Sequence, residues 1–236
     1  MITVVLWKWK APIGYRSTFL GEHVNIMANM IRRHLHLEHE IVLVTDDPTG
    51  VDPSVRIVPL WDDFAHLQSF VGPTRPACYR RLKVFNAEAA GLGERVLSID
   101  LDAVITGDIT PLVDRPEDFV IWGDTAKGTL YNGGLWLLRR GTRQKVWTSF
   151  DPDTSPSLTR ANNIIGSDQA WISHSLGKGE STWTMKDGVY SFRNHLKVRT
   201  KFDLPEDAKV VMFHGQWDPW HPEVQKRYPW VREHYK

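Results

Sequence analysis

The chain has 236 residues, of which 42% are hydrophobic and 24% are charged, and its formal net charge at pH 7 is +1. This length and composition allow one sizeable core, and the near-neutral charge gives no overall signature of a polyanion-binding protein. A single cysteine, Cys78, excludes an intramolecular disulfide and a cysteine zinc cluster and indicates a reducing compartment.

The N-terminal segment does not have the pattern of a targeting signal. Its hydrophobic residues are interrupted by Lys8 and Lys10, which leaves them too few for the apolar region of a signal peptide. No run in the chain approaches the roughly 18 apolar residues of a membrane span. We therefore expect a soluble cytoplasmic protein with no membrane span.

The first half of the chain alternates between strand-like and helix-like segments. Ile2–Leu6 is predicted as a strand, and residues 22–35 have apolar side chains at the spacing of an amphipathic helix. Two strand-like runs follow, IVLVTDD and VRIVPL, and a helix-like segment from 77 to 90 then leads into the run RVLSI. This βαβα order predicts an α/β fold with a mostly parallel central sheet flanked by helices.

The second half is less regular. In chain order it contains the strand-like DFVIWGD and LYNGGLWLLRRG, the helical RQKVWTSF and GSDQAWISHSL, the mixed STWTMKDGVYSFR and a last strand, AKVVMFHG. The proline-rich residues 151–157 predict a loop, which we interpret as an insertion rather than a domain linker. We therefore expect a single domain over residues 1–236.

The run RVLSIDLD ends in two acids, Asp100 and Asp102. On an extended strand the two carboxylates project from the same face, about 7 Å apart along the backbone, so they can serve one site. Ligands of open α/β sheets bind beyond the carboxyl ends of strands. Two carboxylates suit Mg²⁺ or Mn²⁺, and such ions usually complete their coordination with water and substrate phosphates. The pattern therefore predicts a metal-bound diphosphate.

The acid-x-acid pattern alone is weak. Asp151 and Asp153 repeat it in a proline turn with no strand before it, and we interpret those two as solvated loop residues. Two alternatives stay open for Asp100 and Asp102. They could cap turns, or they could be the aspartates of a haloacid-dehalogenase phosphatase. That enzyme class needs a later acidic pair, whereas the Asp-Asp pairs of this chain, 46–47 and 62–63, come earlier.

Four motifs in order carry a family resemblance over roughly residues 75–222. They are YRRLKVF with GLGERVLSIDLDAVITGDITPLVD, then YNGGLWLLRRG, SDQAWIS and VVMFHGQWDPW. In this order they resemble the motifs of GT-A fold glycosyltransferases like those of glycosyltransferase family eight. The resemblance implies a Rossmann-like GT-A domain that moves a sugar from a nucleotide-diphosphate sugar to an acceptor, with a metal ion and with retention. It also implies a nucleotide-sugar-binding half at about 1–115 and an acceptor-side half at about 116–236.

The resemblance assigns roles to individual residues. Asp100 and Asp102 match the metal and donor-ribose acids, and His214 matches the third metal ligand, so the implied cofactor is Mn²⁺ or Mg²⁺. Asp168 and Gln169 match a pair that contacts the sugar and the reacting face, and they are the catalytic candidates. The donor-binding candidates are Trp7, Lys8, Asp46, Arg81, Asp100, Asn132, Gly133, Gly134, Asp168 and Gly215.

Several of these candidates have a structural alternative. Arg81 could be a surface helix cation, although a guanidinium suits a diphosphate. Gly133 and Gly134 let a backbone approach a ligand closely, but they could also form an ordinary turn. His214 could be a structural histidine at a strand end. Asp168 could cap a helix, which is compatible with a ligand contact.

The chain departs from the family pattern at two places. The family usually has a lysine before the last Pro-Trp to neutralise the leaving diphosphate, whereas this chain has Asp218. We expect another cation, Arg81, Lys8 or Lys10, to compensate. The departure also keeps open a second function, a nucleotide-sugar-binding protein that has lost catalysis.

The second departure concerns the donor base. Many relatives carry an acid just after the first strand, where this chain has LWKWK. Asp46 or Asp47, at the end of the next strand, could contact a base edge or could be a turn residue. A UDP-sugar remains the favoured donor.

A basic segment bears on the acceptor. The stretch YSFRNHLKVRTK has no acid and contains Arg193, Lys197, Arg199 and Lys201. It lies in the half expected to face the acceptor, so we predict an anionic acceptor, either a phosphorylated glycan or modified DNA. Trp217 and Trp220 flank the proposed site and are candidates for stacking on a sugar.

Overall fold

The computed structural model describes residues 1–15, 18–69, 72, 74–89, 91–123, 128–197, 203–214 and 217–236. The strands are β1 (Ile2–Lys8), β2 (His39–Thr45), β3 (Arg56–Pro59), β4 (Arg95–Ile99), β5 (Ala103–Ile105), β6 (Phe119–Trp122), β7 (Asn132–Arg139), β8 (Ser181–Trp183), β9 (Val189–Ser191) and β10 (Val210–Met212). The α-helices are α1 (Gly21–His34), α2 (Thr110–Val113), α3 (Lys145–Thr148), α4 (Ser155–Ala161), α5 (Asp168–Leu176), α6 (Pro222–Arg227) and α7 (Pro229–His234).

The strands form two sheets. The larger has seven strands in the order β3-β2-β1-β4-β7-β6-β8, and the smaller has three in the order β5-β10-β9. In the larger sheet only β7 runs against its neighbours, β4 and β6, and the other pairs are parallel. This mostly parallel sheet confirms the predicted α/β class. Within the described ranges, no helix is both long and apolar enough to cross a bilayer.

Both faces of the central strands are buried. Along β1, Val4 and Leu6 pack into one hydrophobic cluster together with Met27 of α1, while Val5 and Trp7 pack into a second cluster on the opposite face. Successive side chains of a strand point to opposite faces, so a strand covered on both sides reads as a continuous hydrophobic run. The first strand could therefore be predicted from its hydrophobic run, although β1 extends two residues beyond the predicted end.

The predicted helix over residues 77–90 is wrong in length and type. Among the described residues of this range, which stop at 89, only Tyr79–Phe85 is helical, and it is a 3₁₀-helix. Before it, the backbone N–H of Cys78 donates to Ser167 Oγ at 2.9 Å, and after it Asn86 Oδ1 accepts from the backbone N–H of Glu88 at 3.0 Å. Tertiary contacts at one end and a side-chain turn at the other therefore limit the segment to a short helix.

The predicted loop over 151–157 is only partly correct, because Ser155 begins helix α4. Asp151 Oδ1 accepts from the backbone N–H of Asp153 at 2.8 Å and of Thr154 at 3.2 Å. Pro156 lies in the first turn of α4, a position that proline tolerates because its missing N–H has no helical partner there. The acid and the proline that suggested a loop therefore form a helix start.

Candidate active site

A cleft runs along the edge of the sheet where β1, β2 and β4 end. Its widest part, about 890 Å³, lies between the segment after β1, the start of α1 and the end of β2. Two smaller cavities, of about 130 Å³ and about 250 Å³, continue it towards the end of β4. Tyr15 lines all three, so they are parts of one cleft. Open α/β sheets bind their ligands at this edge.

Asp100 and Asp102 follow β4 and line the same 130 Å³ cavity. They lie in a turn and not on the strand, because β4 ends at Ile99. The backbone N–H of Asp100 donates to Gly134 O at 2.9 Å, and the backbone N–H of Phe213 donates to Asp102 O at 3.0 Å. The two acids therefore line one cavity, but the turn that presents them is fixed by β7 and the segment after β10 and not by strand periodicity.

Arg81 lies at the centre of the site. Its Nη1 is 2.7 Å from Asp100 Oδ1 and 3.8 Å from Asp168 Oδ2, and it donates to Gly133 O at 3.4 Å. Only 13% of its side chain is exposed, so it is not a surface cation. Burial alone would lower the pKa of Arg81, but the carboxylates of Asp100 and Asp168 raise the pKa above its ordinary range. The guanidinium is therefore always charged.

Two tryptophans flank the guanidinium. The central carbon of Arg81 lies 5.6 Å from the ring centroid of Trp7 and 5.6 Å from that of Trp9, within cation–π range. Trp7 is fixed in turn by a hydrogen bond from its Nε1 to Ser98 Oγ at 2.8 Å. Trp7, a predicted donor-binding residue, lines the 130 Å³ cavity, and so does Trp9, which is not among the predicted residues.

Asp168 is buried at the start of α5. Its Oδ1 accepts from Ser167 Oγ at 3.3 Å. Asp168 is the first residue of the helix and Ser167 is the N-cap, so the interpretation of Asp168 as the cap is wrong. Burial raises the pKa of Asp168, and Arg81 opposes this shift. Gln169 also lines the 250 Å³ cavity, and its Nε2 makes a long contact of 3.4 Å with Ile165 O. The two catalytic candidates therefore lie side by side on the cavity.

Three buried polar atoms at this point have no well-aligned hydrogen-bond partner among the described residues. They are Arg81 Nε, Asp100 Oδ1 and Asp168 Oδ2. The contact between Arg81 and Asp100 has the distance of an ion pair but not the angle of a hydrogen bond. Buried polar groups in proteins are nearly always partnered. All three residues line the 250 Å³ cavity, so a ligand there could supply the partners.

The glycine pair allows a close approach rather than a turn, because both glycines lie in β7. A Cβ on Gly133 would lie 2.9 Å from Asp168 Oδ2, and one on Gly134 would lie 3.0 Å from Asp100 Oδ2. Asn132 Oδ1 accepts from the backbone N–H of Gly134 at 2.8 Å. The interpretation as an ordinary turn is therefore wrong, and the absent side chains let both carboxylates pack against the strand.

His214 is brought near the acids by its backbone. Antiparallel pairing of β10 with β5 continues through the bond from Phe213 to Asp102, so the chain places His214 beside the acidic turn. Its imidazole, however, shares a hydrogen bond of 2.6 Å with Ser191 through Nε2, and its ring lies edge-on to Trp122. Its role as a metal ligand stays a prediction.

The acids fit a divalent ion by chemistry and position. Two hard carboxylates line one cavity, and Asp100 has a buried oxygen without a well-aligned hydrogen bond. The described residues nevertheless contain no group of three His, Cys, Asp or Glu side chains arranged to hold a metal. The fit therefore rests on the two carboxylates, and His214 could join them through Nε2 only by leaving Ser191.

Two further donor-binding candidates, Lys8 and Asp46, lie on the widest part of the cleft. Lys8 is buried, and its Nζ donates to the backbone carbonyl of Asp47 and to its Oδ2 at 3.1 Å. Hydrogen bonds from Thr49 and Lys8 lower the pKa of Asp47 to about 2. Asp46 is exposed and accepts from the backbone N–H of Lys10 at 3.3 Å. Gly215 lies outside the described residues.

Three residues near the C-terminus, Trp217, Asp218 and Trp220, contact other side chains of the protein. Asp218 is fully buried, and its Oδ2 lies 3.5 Å from His221 Nε2. Trp220 stacks on His23 with ring centroids 4.2 Å apart, so one of its faces is covered by the protein. Trp217 lies 4.6 Å from Lys197 Nζ, measured to the ring centroid. Trp220, one of the two tryptophans proposed to stack on a sugar, therefore packs one ring face against His23 and cannot offer that face to a sugar.

No protein-family model matches the chain, and no curated protein matches it. It is similar to the solved structure of the galactosyltransferase LgtC in complex with donor and acceptor sugar analogues, with 15% identity and a TM-score of 0.63, over 99% of this chain and 96% of that one. It is also similar to the glycosyltransferase GlyE of Streptococcus pneumoniae, with 15% identity and a TM-score of 0.58, over 98% of this chain and 61% of that one. A third similar structure is the bifunctional glycosyltransferase WbbM, with 14% identity and a TM-score of 0.57, over 99% of this chain and 50% of that one.

These similarities confirm the predicted fold, which the chain shares with glycosyltransferases along nearly its whole length. They give no support to the phosphatase alternative.

Proposed function

We propose that the chain is a glycosyltransferase that moves a sugar from a nucleotide-diphosphate sugar, with a UDP-sugar favoured, to an acceptor, with retention. The observation that carries this proposal is the set of buried atoms on Arg81, Asp100 and Asp168 that lack a well-aligned hydrogen bond within the described residues and surround a cavity of about 250 Å³. A sugar hydroxyl can donate to a carboxylate and accept from a guanidinium, so one polyhydroxylated ligand could satisfy all three. The similarity to LgtC, solved with donor and acceptor sugar analogues, supports the same function.

The cleft has room for each part of such a donor. The widest part would take the nucleoside, the turn at Asp100 and Asp102 would take the diphosphate together with Mn²⁺ or Mg²⁺, and the 250 Å³ cavity would take the sugar. A divalent ion held there would stabilise the negative charge that develops on the leaving diphosphate. Asn132, Gly133 and Gly134 would line the sugar from the side of β7.

Asp168 and Gln169 would orient the reacting sugar. Asp168 is buried and paired with Arg81, so it is suited to hold a hydroxyl and less suited to attack a carbon. Gln169 is a poor nucleophile, but its amide can both donate and accept hydrogen bonds at the reacting face. LgtC has also been solved with glutamate in place of an active-site glutamine, which is consistent with a glutamine at such a site. Positioning and electrostatic preorganisation would supply most of the acceleration.

The proposal predicts that nucleotide diphosphates bind only weakly without a divalent ion. Asp100 and Asp102 would repel the phosphates unless a cation lies between them. We expect UDP to bind at least about tenfold more tightly in Mn²⁺ than in EDTA, because the ion replaces like-charge repulsion with attraction. Calorimetry of UDP binding under both conditions measures the difference, and equal affinities would contradict the proposal.

A thermal-shift screen of nucleotide sugars with Mn²⁺ would then identify the base and the sugar.

A second candidate function is donor binding without catalysis, which is favoured by the acid at position 218. Asp218 is fully buried and lies against His221, and none of the three described cavity linings includes it. It therefore leaves the family's lysine unreplaced without adding a negative charge to the cleft. Hydrolysis separates the two functions, because an intact transferase slowly releases free sugar to water and a pure binder releases none.

The anionic acceptor is a separate proposal with its own test. Arg193 and Lys197 belong to the described part of the basic segment, whereas Arg199 and Lys201 lie outside the described residues. Replacing all four with alanine is expected to lower transfer to an anionic acceptor about tenfold or more, by removing favourable charge, while donor hydrolysis is unchanged. Both rates are followed with one labelled donor. Alanine at Lys226 and Arg232 serves as the control, and equal loss of both activities in the basic-segment variant would show a structural or donor-facing role.

A further inference from the structure

Arg81 and a divalent ion would compete for the same carboxylate. The Nη1 of Arg81 lies 2.7 Å from Asp100 Oδ1, where it occupies one of the oxygens that an ion at this turn would need. Mg²⁺ and Ca²⁺ approach oxygen ligands to roughly 2.0–2.6 Å. An ion bound to Asp100 at such a distance would lie within a few ångströms of the guanidinium and repel it. We therefore expect the ion to bind less tightly while Arg81 keeps its present position beside Asp100.

Arg81 is paired with Asp100 by charge, and it has other oxygen partners within reach. The contact with Asp100 lacks hydrogen-bond geometry, and Arg81 Nε has no partner among the described residues. Asp168 Oδ2 at 3.8 Å and Gly133 O at 3.4 Å lie beside the same nitrogen. A small displacement would let Arg81 exchange Asp100 for these oxygens or for an incoming phosphate. Guanidinium groups bind phosphates well because their donors match phosphate geometry.

We propose that Arg81 acts as an internal counter-ion for Asp100 and releases it to the metal only when a nucleotide diphosphate binds. The inference rests on the proposed function and adds to it that the metal ion binds tightly only together with the nucleotide diphosphate. Without the diphosphate, the ion must displace Arg81 and leave the guanidinium beside a second cation. With the diphosphate bound, phosphate oxygens replace Asp100 as the partner of Arg81. Metal and nucleotide therefore strengthen each other's binding by the same factor.

The test is the affinity for Mn²⁺ alone, measured by calorimetry on the protein without nucleotide. Arg81→Gln removes the competing charge and keeps a polar side chain, so it is expected to bind Mn²⁺ about tenfold more tightly than the unaltered protein. The gain in Mn²⁺ affinity on adding UDP should shrink by a similar factor. Arg80→Gln is the matched control, because it removes a neighbouring arginine that does not line the cavities at Asp100. Unchanged or weaker Mn²⁺ binding by Arg81→Gln would overturn the inference.

A second variant guards against loss of folding. Arg81→Gln alone leaves Asp100 and Asp168 without their shared cation, and an unpaired buried carboxylate is costly. The double variant Arg81→Gln with Asp168→Asn removes one cation and one anion, and it should also bind Mn²⁺ more tightly without nucleotide. Circular dichroism establishes that each variant is folded before titration.

The results separate this inference from the proposed function. If the unaltered protein binds UDP in a metal-dependent way and neither variant gains Mn²⁺ affinity, only the role of Arg81 as a counter-ion is wrong. If the unaltered protein does not bind UDP, GDP or other nucleotide diphosphates with Mn²⁺ present, the proposed function and this inference both fail.

Discussion

Asp100→Asn is expected to lower the release of sugar from the donor by about a thousandfold. The substitution keeps the size of the side chain but removes the charge that would hold the ion, and the loss of a catalytic metal's charge stabilisation is worth several kcal/mol. Each 1.4 kcal/mol corresponds to about a factor of ten in rate. It also removes the closest carboxylate to Arg81. Single-turnover hydrolysis of a labelled nucleotide sugar measures the effect without knowledge of the acceptor.

The chain contains its own control for this prediction. Asp153 belongs to the second acid-x-acid triplet, and it is exposed just before α4. Asp153→Asn is expected to leave hydrolysis unchanged, because its carboxylate lines none of the described cavities. Thermal unfolding of both variants tests whether they are folded. Hydrolysis by Asp100→Asn within tenfold of the unaltered protein would show that this acid is not central to catalysis.

The order of elements in the first half could be predicted because local patterns dominate there. Strand β1 is buried on both faces and reads as a continuous apolar run, and α1 shows helical spacing in the sequence. The segment at Tyr79–Phe85 was predicted less well. Its length depends on the bond between Cys78 and Ser167, which are 89 residues apart, and no local pattern contains such a contact.

The sequence could predict several residues that line the cleft but not the contacts between them. The two acids after β4 do share a cavity, yet the turn that presents them depends on Gly134 and Phe213. A glycine is needed at position 133 because Asp168 lies so close to it. That separation is set by tertiary packing, which no local sequence pattern contains. Tyr15 and Phe19, which line the cleft after β1, were not singled out. The one indication of these two residues in the sequence is that they are aromatic and come shortly after the first strand.

The assignment of His214 as a metal ligand depends on a side chain that now bonds elsewhere. The register of β10 places the residue beside Asp102, but the imidazole Nε2 is 2.6 Å from Ser191 Oγ. Ligation through Nε2 would therefore require the imidazole to give up the serine. A nitrogen added to two carboxylates would favour Mn²⁺ over Mg²⁺, because Mg²⁺ prefers oxygen ligands more strictly. Replacing His214 should then weaken metal binding, whereas replacing Ser191 should not weaken it.

His214→Ala is expected to weaken Mn²⁺ binding in the presence of UDP by about tenfold to a hundredfold, the range in which changes around a metal site commonly fall. Ser191→Ala should strengthen it or leave it unchanged, because the competing hydrogen bond is lost. Calorimetry with Mn²⁺ and with Mg²⁺ measures both effects, and His214→Ala should reduce the preference for Mn²⁺. Ser191 Oγ also accepts from the backbone N–H of Asn194, so circular dichroism must show that the serine variant is folded. If His214→Ala binds both ions as tightly as the unaltered protein, the histidine has a structural role with Ser191 and the two carboxylates hold the ion without it.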